Sequence, residues 1–506
     1  MIQFLLNQTL VSETHIDPNL TVLNYLRQHR RRCGTKEGCA SGDCGACTVT
    51  LGRVENGRMV YETANSCMTF VSTLQGRQLI TVEDLQQAGK LHPVQQAMVD
   101  CHASQCGFCT PGFVMSLFTL QKNSAGWQPH QALEALAGNL CRCTGYRPIV
   151  DAAREACQYP EQDSFQQQQT LTVNRLTALK NTEVQEISFN SHRCLLPKTL
   201  DQLGDLFSEH PEAKLLAGGT DLALQVTQHF KTLPLLIALE QIDELKTCRA
   251  DAEELVLGAG VSLQQCQRWL HEHIPSFAQM LERFASLQIR NLGTLGGNIA
   301  NGSPIGDTPP MLLALNASLE LQRGRMRRRL PMADFFTGYR QTALQPGEFI
   351  RAVIVPKVTA SQNFRAWKVS KRLEDDISAV FAAFMLETDN NSCVKQARIA
   401  FGGMAEIPKR ALHCERQLTG RPLTLQSVEQ ACRALEQDFT PLSDFRASAR
   451  YRLQVAKNLL RRYHTALTDE LQCVEVSRYV SPVFGVCLGL VSRDDPLAET
   501  VLYPRR

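Results

Sequence analysis

Cys39, Cys44 and Cys47 stand four and two residues apart, and Cys67 follows after a gap of nineteen. No other feature of the chain narrows its folding so far. The C-x₄-C-x₂-C…C spacing is the plant-type 2Fe–2S signature, whereas zinc ribbons and fingers open on two-residue gaps. Two ferric ions, two sulfides and four thiolates sum to about −2, and such an anion needs backbone N–H donors close by. Gly42, Gly45 and Ala46 lie between the ligands and let the backbone approach. A zinc site or a set of buried free thiols is the competing reading.

A second set follows in Cys106-Gly107-Phe108-Cys109 and Cys141-Arg142-Cys143. Each pair precedes a proline-started helix, at Pro111 and at Pro148. Helix N-termini offer free N–H groups and partial positive charge to an anionic cluster. A Cys₄ zinc site stapling a helical bundle is the alternative. Two clusters in 150 residues, with no evident substrate pocket, read as a wire for single electrons. Residues 1–160 hold 11 of the 19 cysteines. A disulfide scaffold would be short and secreted, and this chain has 506 residues and no basic start or long apolar stretch resembling a secretory leader. Cys33, Cys101 and Cys157 are expected to be buried small hydrophobes rather than ligands.

Composition excludes a collagenous or fully disordered protein: 43% of residues are apolar and 20% charged. The net charge of +3 gives no reason to expect nucleic acid or an anionic membrane as partner. No run of 18 apolar residues occurs, so no membrane span is expected and a cytoplasmic location is. The basic run Arg323, Arg325, Arg327, Arg328 and Arg329 reads as a solvated hairpin around Gly324, with a nucleic-acid grip as the alternative. His271-Glu272-His273 lacks the spacing for a metal site on one helix face.

Along the chain, residues 1–85 read as strands with one helix: strands at Ile2–Leu6, Thr48–Leu51, Met59–Tyr61 and Gln78–Val82, and a helix over Leu20–His29. Residues 86–160 read as helices, one capped by Thr110. The Gln166–Gln169 run marks 161–192 as a linker that cannot build a core. An α+β pattern covers 193–360, mixed strand and helix covers 361–475 with a helix over Ser448–His464, and 476–506 is a tail without a legible motif.

Two glycine-rich turns stand in the 193–360 part. One runs through Lys214, Leu215, Leu216, Ala217, Gly218, Gly219, Thr220, Asp221 and Leu222; the other through Thr294, Leu295, Gly296, Gly297 and Asn298. Either is a plain turn or a cradle of N–H groups for a pyrophosphate. Two of them downstream of two cluster sites point to a flavin, which converts one-electron steps into two-electron chemistry.

These residues, with Gly34–Cys39, Gln105–Gly112, Gly138–Pro148, Ser303–Asp307, Phe401–Ala405 and Asp444–Ser448, resemble the iron–sulfur and FAD-carrying small subunit of bacterial xanthine dehydrogenases, in the molybdenum hydroxylase family. The resemblance spans residues 1 to about 475. It implies a multidomain α+β chain: a β-grasp 2Fe–2S ferredoxin domain (1–85), a helical-bundle 2Fe–2S domain (86–160), a vanillyl-alcohol-oxidase-type FAD domain (193–360) and a small α+β flavoprotein C-terminal domain (361–475). It implies two 2Fe–2S clusters, FAD, and NAD⁺ as electron acceptor. It places the molybdopterin and the hydroxylation site on a partner large subunit, in a heterotetramer with two of each chain. Electrons from hypoxanthine or xanthine would pass the Cys106/Cys109/Cys141/Cys143 cluster, then the Cys39/Cys44/Cys47/Cys67 cluster, then FAD. An aldehyde- or CO-oxidising relative is the alternative enzyme. Phe284 aligns with an aromatic that stacks on adenine, or is a core aromatic. Asp307 matches an aspartate near the flavin, or caps the helix begun at Thr308-Pro309-Pro310. Ala379 stands where some relatives place a lysine near the flavin.

Overall fold

The computed structural model describes residues 1–158 and 163–468. Its first sheet runs in the order Thr9–Glu13, Ile2–Leu6, Gln78–Ile80, Thr48–Glu55, Arg58–Asn65. Only the Ile2–Leu6/Gln78–Ile80 pair is parallel, the mixed arrangement of a β-grasp. The expected helix over Leu20–His29 starts later and changes pitch. The Thr21 hydroxyl accepts the Asn24 N–H, which fixes the start at Val22, and the chain widens into a π-turn over Tyr25–His29. Leu23 and Leu26 are buried as their spacing predicts.

Four helices follow, at Pro93–Asp100, Thr110–Asn123, Pro129–Leu136 and Arg147–Ala156. Every residue from Gly112 to Gln121 is buried, so Thr110–Asn123 is the central helix. Thr110 does not cap it. Cys109 holds the cap position, and the Thr110 hydroxyl bonds Ser104 at 2.8 Å.

The glutamine-rich span is not an unstructured linker. It forms helices Ser164–Gln167 and Gln169–Ala178, and Gln185–Phe189 is already a strand. Phe165 stacks edge-on to Phe118 at 5.0 Å, and Leu176 is buried beside the helical part. Asp163 bonds His92 at 2.8 Å and Lys122. Burial opposes its charge, but these two partners hold its pKa down to about 2. Composition hid this because two apolar anchors and one ion pair suffice to dock a polar helix.

The next part carries a four-stranded sheet (Gln185–Phe189, His192–Leu196, Leu235–Ala238, Lys214–Leu216) and a five-stranded one (Cys248–Ala250, Glu254–Gly258, Glu348–Pro356, Ser318–Arg323, Met326–Pro331). The basic run is the Ser318–Arg323/Met326–Pro331 hairpin, turned at Gly324 with φ +54°. Arg328 grips Glu348 through two bonds and Arg329 grips Glu254. The last part is an antiparallel sheet of Gln362–Val369, Val380–Thr388, Val394–Gly402 and Lys409–Arg410, with helices Leu412–Leu418, Leu425–Asp438 and Ala449–Thr468. The expected 476–506 tail lies outside the described residues. Among the described residues no helix is long and apolar enough to cross a membrane.

The buried apolar clusters ignore the part boundaries. One joins Leu6, Val49 and Phe70 to Leu216, Ala223 and Leu292. Another joins Leu5 and Tyr61 to Phe113 and Phe118. A third joins Leu319 and Val353 to Phe364 and Phe381. Only the cluster around Phe384, Leu435 and Tyr463 stays within one part.

Candidate functional site

The first thiol set is folded inward. Gly42 (φ +87°) and Gly45 (φ +68°) let the loop coil between its cysteines. Cys47 enters the strand beginning at Thr48, and Cys67 follows the strand ending at Asn65. Their sulfurs stand 3.3 Å apart, with Cys47 1% and Cys67 2% exposed. Cys39 pairs with the Cys44 thiol and accepts N–H groups from Ser41 and Cys44, each at 3.4 Å. The Cys44 contact and these donors outweigh burial and bring the Cys39 pKa down to about 4. Backbone donors also reach Cys44 from Ala46 and Cys67 from Gly42.

The second set faces outward. Cys106 and Cys143 are exposed, and Cys109 caps the central helix. Cys106 pairs with Cys143, and Cys109 with Cys141. The Thr144 N–H and hydroxyl reach the Cys141 sulfur at 3.4 and 3.2 Å. Burial disfavours the Cys141 thiolate, but these bonds prevail and lower its pKa to about 7. Tyr146 (φ +67°) takes the Cys141 N–H on its phenol at 3.0 Å and caps the helix Arg147–Ala156.

In each set the thiols meet as two pairs ringed by N–H donors. That donor chemistry fits two metal ions with two thiolates each, as in a 2Fe–2S cluster. Among the described residues no three His, Cys, Asp or Glu side chains converge as a single-ion cage. Of the three other thiols, Cys157 is buried as expected, and Cys101 is half-buried and donates to Glu155. Cys33 departs from expectation and is exposed. Its carbonyl, held by Arg27 and Lys36, turns the chain outward there.

The glycine turns meet across a cavity of about 720 Å³. Leu215, Ala217, Gly218, Gly219, Thr220, Asp221 and Leu222 line one wall; Phe284, Thr294, Gly297 and Asn298 line the other. Lys214, Leu216, Leu295, Gly296 and Asp307 do not. Lys214 is exposed on its strand, Leu216 and Leu295 point into the core, and a Cβ on Gly296 would meet Ala259. Gly218 is where the two turns touch, since a Cβ there would lie 1.7 Å from the Leu292 carbonyl oxygen. Gly297 is open except for the Thr294 hydroxyl at 2.9 Å. Phe284 lines the cavity while its body packs on the core. Asp307 stands at the N-cap position of the helix begun at Thr308, as one of its two expected roles has it, but its side chain makes no capping bond. Its carboxylate bonds Lys368 Nζ at 2.8 Å and the Ser378 hydroxyl at 2.6 Å, tying the two C-terminal parts together. Spacing gave no hint of His229, Lys231, Asn301 and Arg340, which also line the cavity. They arrive from separate turns. The size, the bare glycine backbone and the cationic side chains fit a dinucleotide with a pyrophosphate.

The three sites stand in sequence. The Leu140 N–H donates to the Cys44 carbonyl at 3.0 Å, joining outer and inner loops. Gln228 donates to the Cys39 and Ala40 carbonyls at 3.2 and 2.9 Å, and the Met68 carbonyl lies 3.2 Å from where a Gly219 Cβ would stand. The inner thiol loop therefore shares a wall with the cavity.

Comparison with known proteins agrees. Residues 81–154 match a [2Fe-2S] binding domain, 187–358 the FAD binding domain in molybdopterin dehydrogenase, and 365–467 the CO dehydrogenase flavoprotein C-terminal domain. Xanthine dehydrogenase of Drosophila pseudoobscura pseudoobscura is 34% identical over 489 residues, covering 85% of this chain and 36% of the relative. Xanthine dehydrogenase/oxidase of Gallus gallus is 31% identical over 513 residues, covering 87% and 38%. The chain thus spans little more than a third of these relatives. A carbon monoxide dehydrogenase chain from Hydrogenophaga pseudoflava superposes with a TM-score of 0.51 at 28% identity, covering 55% of this chain and 96% of that one. The matched domains and the two thiol sets beside a glycine-walled cavity mark this chain as an iron–sulfur and FAD region of the molybdenum hydroxylase family.

Proposed function

We propose that this chain is the electron-relay subunit of a xanthine dehydrogenase, acting in the cytoplasm with a molybdopterin-carrying large subunit in a heterotetramer. The observation that supports this most is the contact order: exposed thiols, buried thiols, cavity. Clusters of the 2Fe–2S type supply one-electron steps, and FAD joins them to two-electron reduction of NAD⁺. Cys106, Cys109, Cys141 and Cys143 would hold the cluster nearest the partner, because two of them open to the surface. Cys39, Cys44, Cys47 and Cys67 would hold the inner one. Exposed Phe108, Leu140 and Tyr146 surround the outer thiols and suit a protein partner. Gly218, Gly219 and Gly297 would approach the pyrophosphate, with Arg340 and Lys231 supplying positive charge. The hydroxylation site and the handling of the purine would fall to the partner.

A CO- or aldehyde-oxidising enzyme is the second reading. It is favoured by the CO dehydrogenase likeness of residues 365–467 and of the superposed chain.

The test is Gly297→Val. Its Cβ meets only one side chain, so the fold should survive while the added branches block the ligand's approach. Losing two charge-assisted bonds of roughly 1.5–3 kcal/mol each weakens FAD binding by two to four powers of ten. Flavin absorbance should vanish, both cluster signals should persist in electron paramagnetic resonance, and NADH oxidation with an artificial acceptor should stop. Normal flavin content would place the dinucleotide elsewhere. Xanthine oxidation by the purified chain without a partner would overturn the division of labour.

A further inference from the structure

Between the two thiol sets lies a buried polar knot built by three parts of the chain. Gly45 and Thr48 come from the ferredoxin-like sheet, Ser116 and Asn139 from the helical part, and Gln288 from the flavin part. Thr48, Ser116, Asn139 and Gln288 are 0–2% exposed. The Gly45 carbonyl accepts the Thr48 hydroxyl at 2.7 Å and Asn139 Nδ2 at 3.0 Å. Asn139 Oδ1 in turn accepts the Ser116 hydroxyl at 2.6 Å and Gln288 Nε2 at 3.1 Å. Gln288 Nε2 also reaches Thr48 Oγ1 at 3.3 Å and Ser116 Oγ at 3.5 Å.

Gln288 is a costly choice for a filler. Its Oε1 is buried without a hydrogen-bond partner and sits 2.1 Å from where a Cβ on Gly138 would stand. An unpaired buried oxygen costs roughly 1–3 kcal/mol, which an apolar side chain of the same length would avoid. What the amide adds is its donor. By occupying Asn139 Oδ1 together with Ser116, it turns Asn139 Nδ2 onto the Gly45 carbonyl. Gly45 belongs to the loop between Cys44 and Cys47, and Asn139 lies two residues before Cys141. The adjacent bond from Leu140 N–H to the Cys44 carbonyl completes a path between the sets. It is covalent from Cys44 to its own carbonyl, crosses one hydrogen bond of 3.0 Å, and is covalent again from Leu140 to Cys141.

We propose that Gln288 is a positioning residue for electron passage between the two clusters, holding the Cys44–Leu140 link closed from a third part of the chain. The inference rests on the relay reading above. One cluster is oxidised by one electron and the other reduced by it. No bond is made or broken, and the knot holds no ionisable side chain to take up a proton.

The test uses the full chain loaded with iron, sulfide and FAD. Gln288→Met keeps the length and removes the donor. Iron and flavin are counted, and the magnetic interaction between the two dithionite-reduced clusters is measured by electron paramagnetic resonance. Samples mixed with less than one electron equivalent of dithionite are then frozen at successive times, and the approach of the two signals to their final ratio is followed. The variant should keep wild-type iron and flavin, show a weaker magnetic interaction, and equilibrate several-fold more slowly, since the one hydrogen bond in the path between the sets is loosened. Ser116→Ala, which loosens Asn139 from the other side, should slow equilibration by about two- to threefold. Wild-type equilibration and magnetic interaction in an intact Gln288→Met would overturn the proposal and leave Gln288 a packing residue. Should that variant lose iron, Ser116→Ala decides: no slowing there overturns the proposal equally. If the wild-type chain shows no pair of cluster signals, it is the relay reading that has failed.

Discussion

The two thiol sets make the same chemical offer from opposite positions. Each presents four cysteines in two pairs under N–H donors. One set seals Cys47 and Cys67 where the ferredoxin-like sheet meets the flavin part and leaves Cys39 and Cys44 half-buried; the other opens Cys106 and Cys143 to the surface. Cys47 and Cys67 of the sealed set share a core with Leu216 and Leu292, so these two are also packing residues. The open set has helix Thr110–Asn123 behind it and little in front. Packing thus couples ligation to folding at Cys47 and Cys67 in one set and at Cys109 and Cys141 in the other, and leaves the exposed Cys106 and Cys143 nearly free of it.

A pair of glycines breaks the comparison most sharply. Gly45→Ala sets a Cβ 2.2 Å from the Gly138 carbonyl at φ +68°, whereas Gly107 has φ +81° and nothing within 4 Å. Gly45→Ala should cost about 2–5 kcal/mol by overpacking and left-handed strain together. Gly107→Ala should cost about 1–2 kcal/mol. Thermal melting of the two variants measures the gap; equal shifts would mean that the two loops are equally free.

Cysteine replacement sharpens it next. Cys67→Ser and Cys106→Ser should each remove one cluster signal. Only Cys67→Ser should also lower the melting temperature and flavin content, by about 1–3 kcal/mol for the buried polar swap. Iron, flavin and melting on one preparation separate the outcomes.

The smallest effect concerns charge near the sealed loop. Burial, then Asp43, raises the Asp375 pKa from 3.8 to about 6, against Arg372, Lys368 and Arg290. The folded state therefore prefers the protonated acid. The wild type has no penalty below about pH 4, gathers one as pH rises to 6, and carries it fully above. Asp375→Asn should raise the melting temperature above pH 6 and leave it unchanged below pH 4. Because φ at Asp375 is +47°, asparagine is the substitution that tolerates the backbone.

The sequence made some of this legible and hid the rest for physical reasons. Cysteine spacing is local, so the eight thiols that the structure brings together in pairs stand out by their gaps alone. Strand Ile2–Leu6 and the proline-started helix over Thr110–Asn123 are equally local. The glycine-walled cavity is half legible. Glycine turns announce themselves, but which face of a turn looks inward depends on the sheet behind it, so Leu216 and Gly296 read like their neighbours and point away. Arg340 and Lys231 join the cavity only through tertiary folding. The glutamine run misleads because composition averages over Phe165 and Leu176, the two residues that dock it. The cap position of Asp307 is local and legible, but its bonds are not, because Lys368 and Ser378 lie more than sixty residues on.

The apolar clusters that cross part boundaries have a calorimetric consequence. When two parts share one core, neither can melt without exposing the other's buried surface. The ferredoxin-like, helical and flavin parts should accordingly give one cooperative heat-absorption peak rather than a staircase. A fragment cut near residue 85 or 190 would carry the raw half of a shared core, with Leu5 and Tyr61 or Leu216 and Leu292 laid open to water. For all their resemblance to beads on a string, these three parts should behave thermodynamically as a single bead.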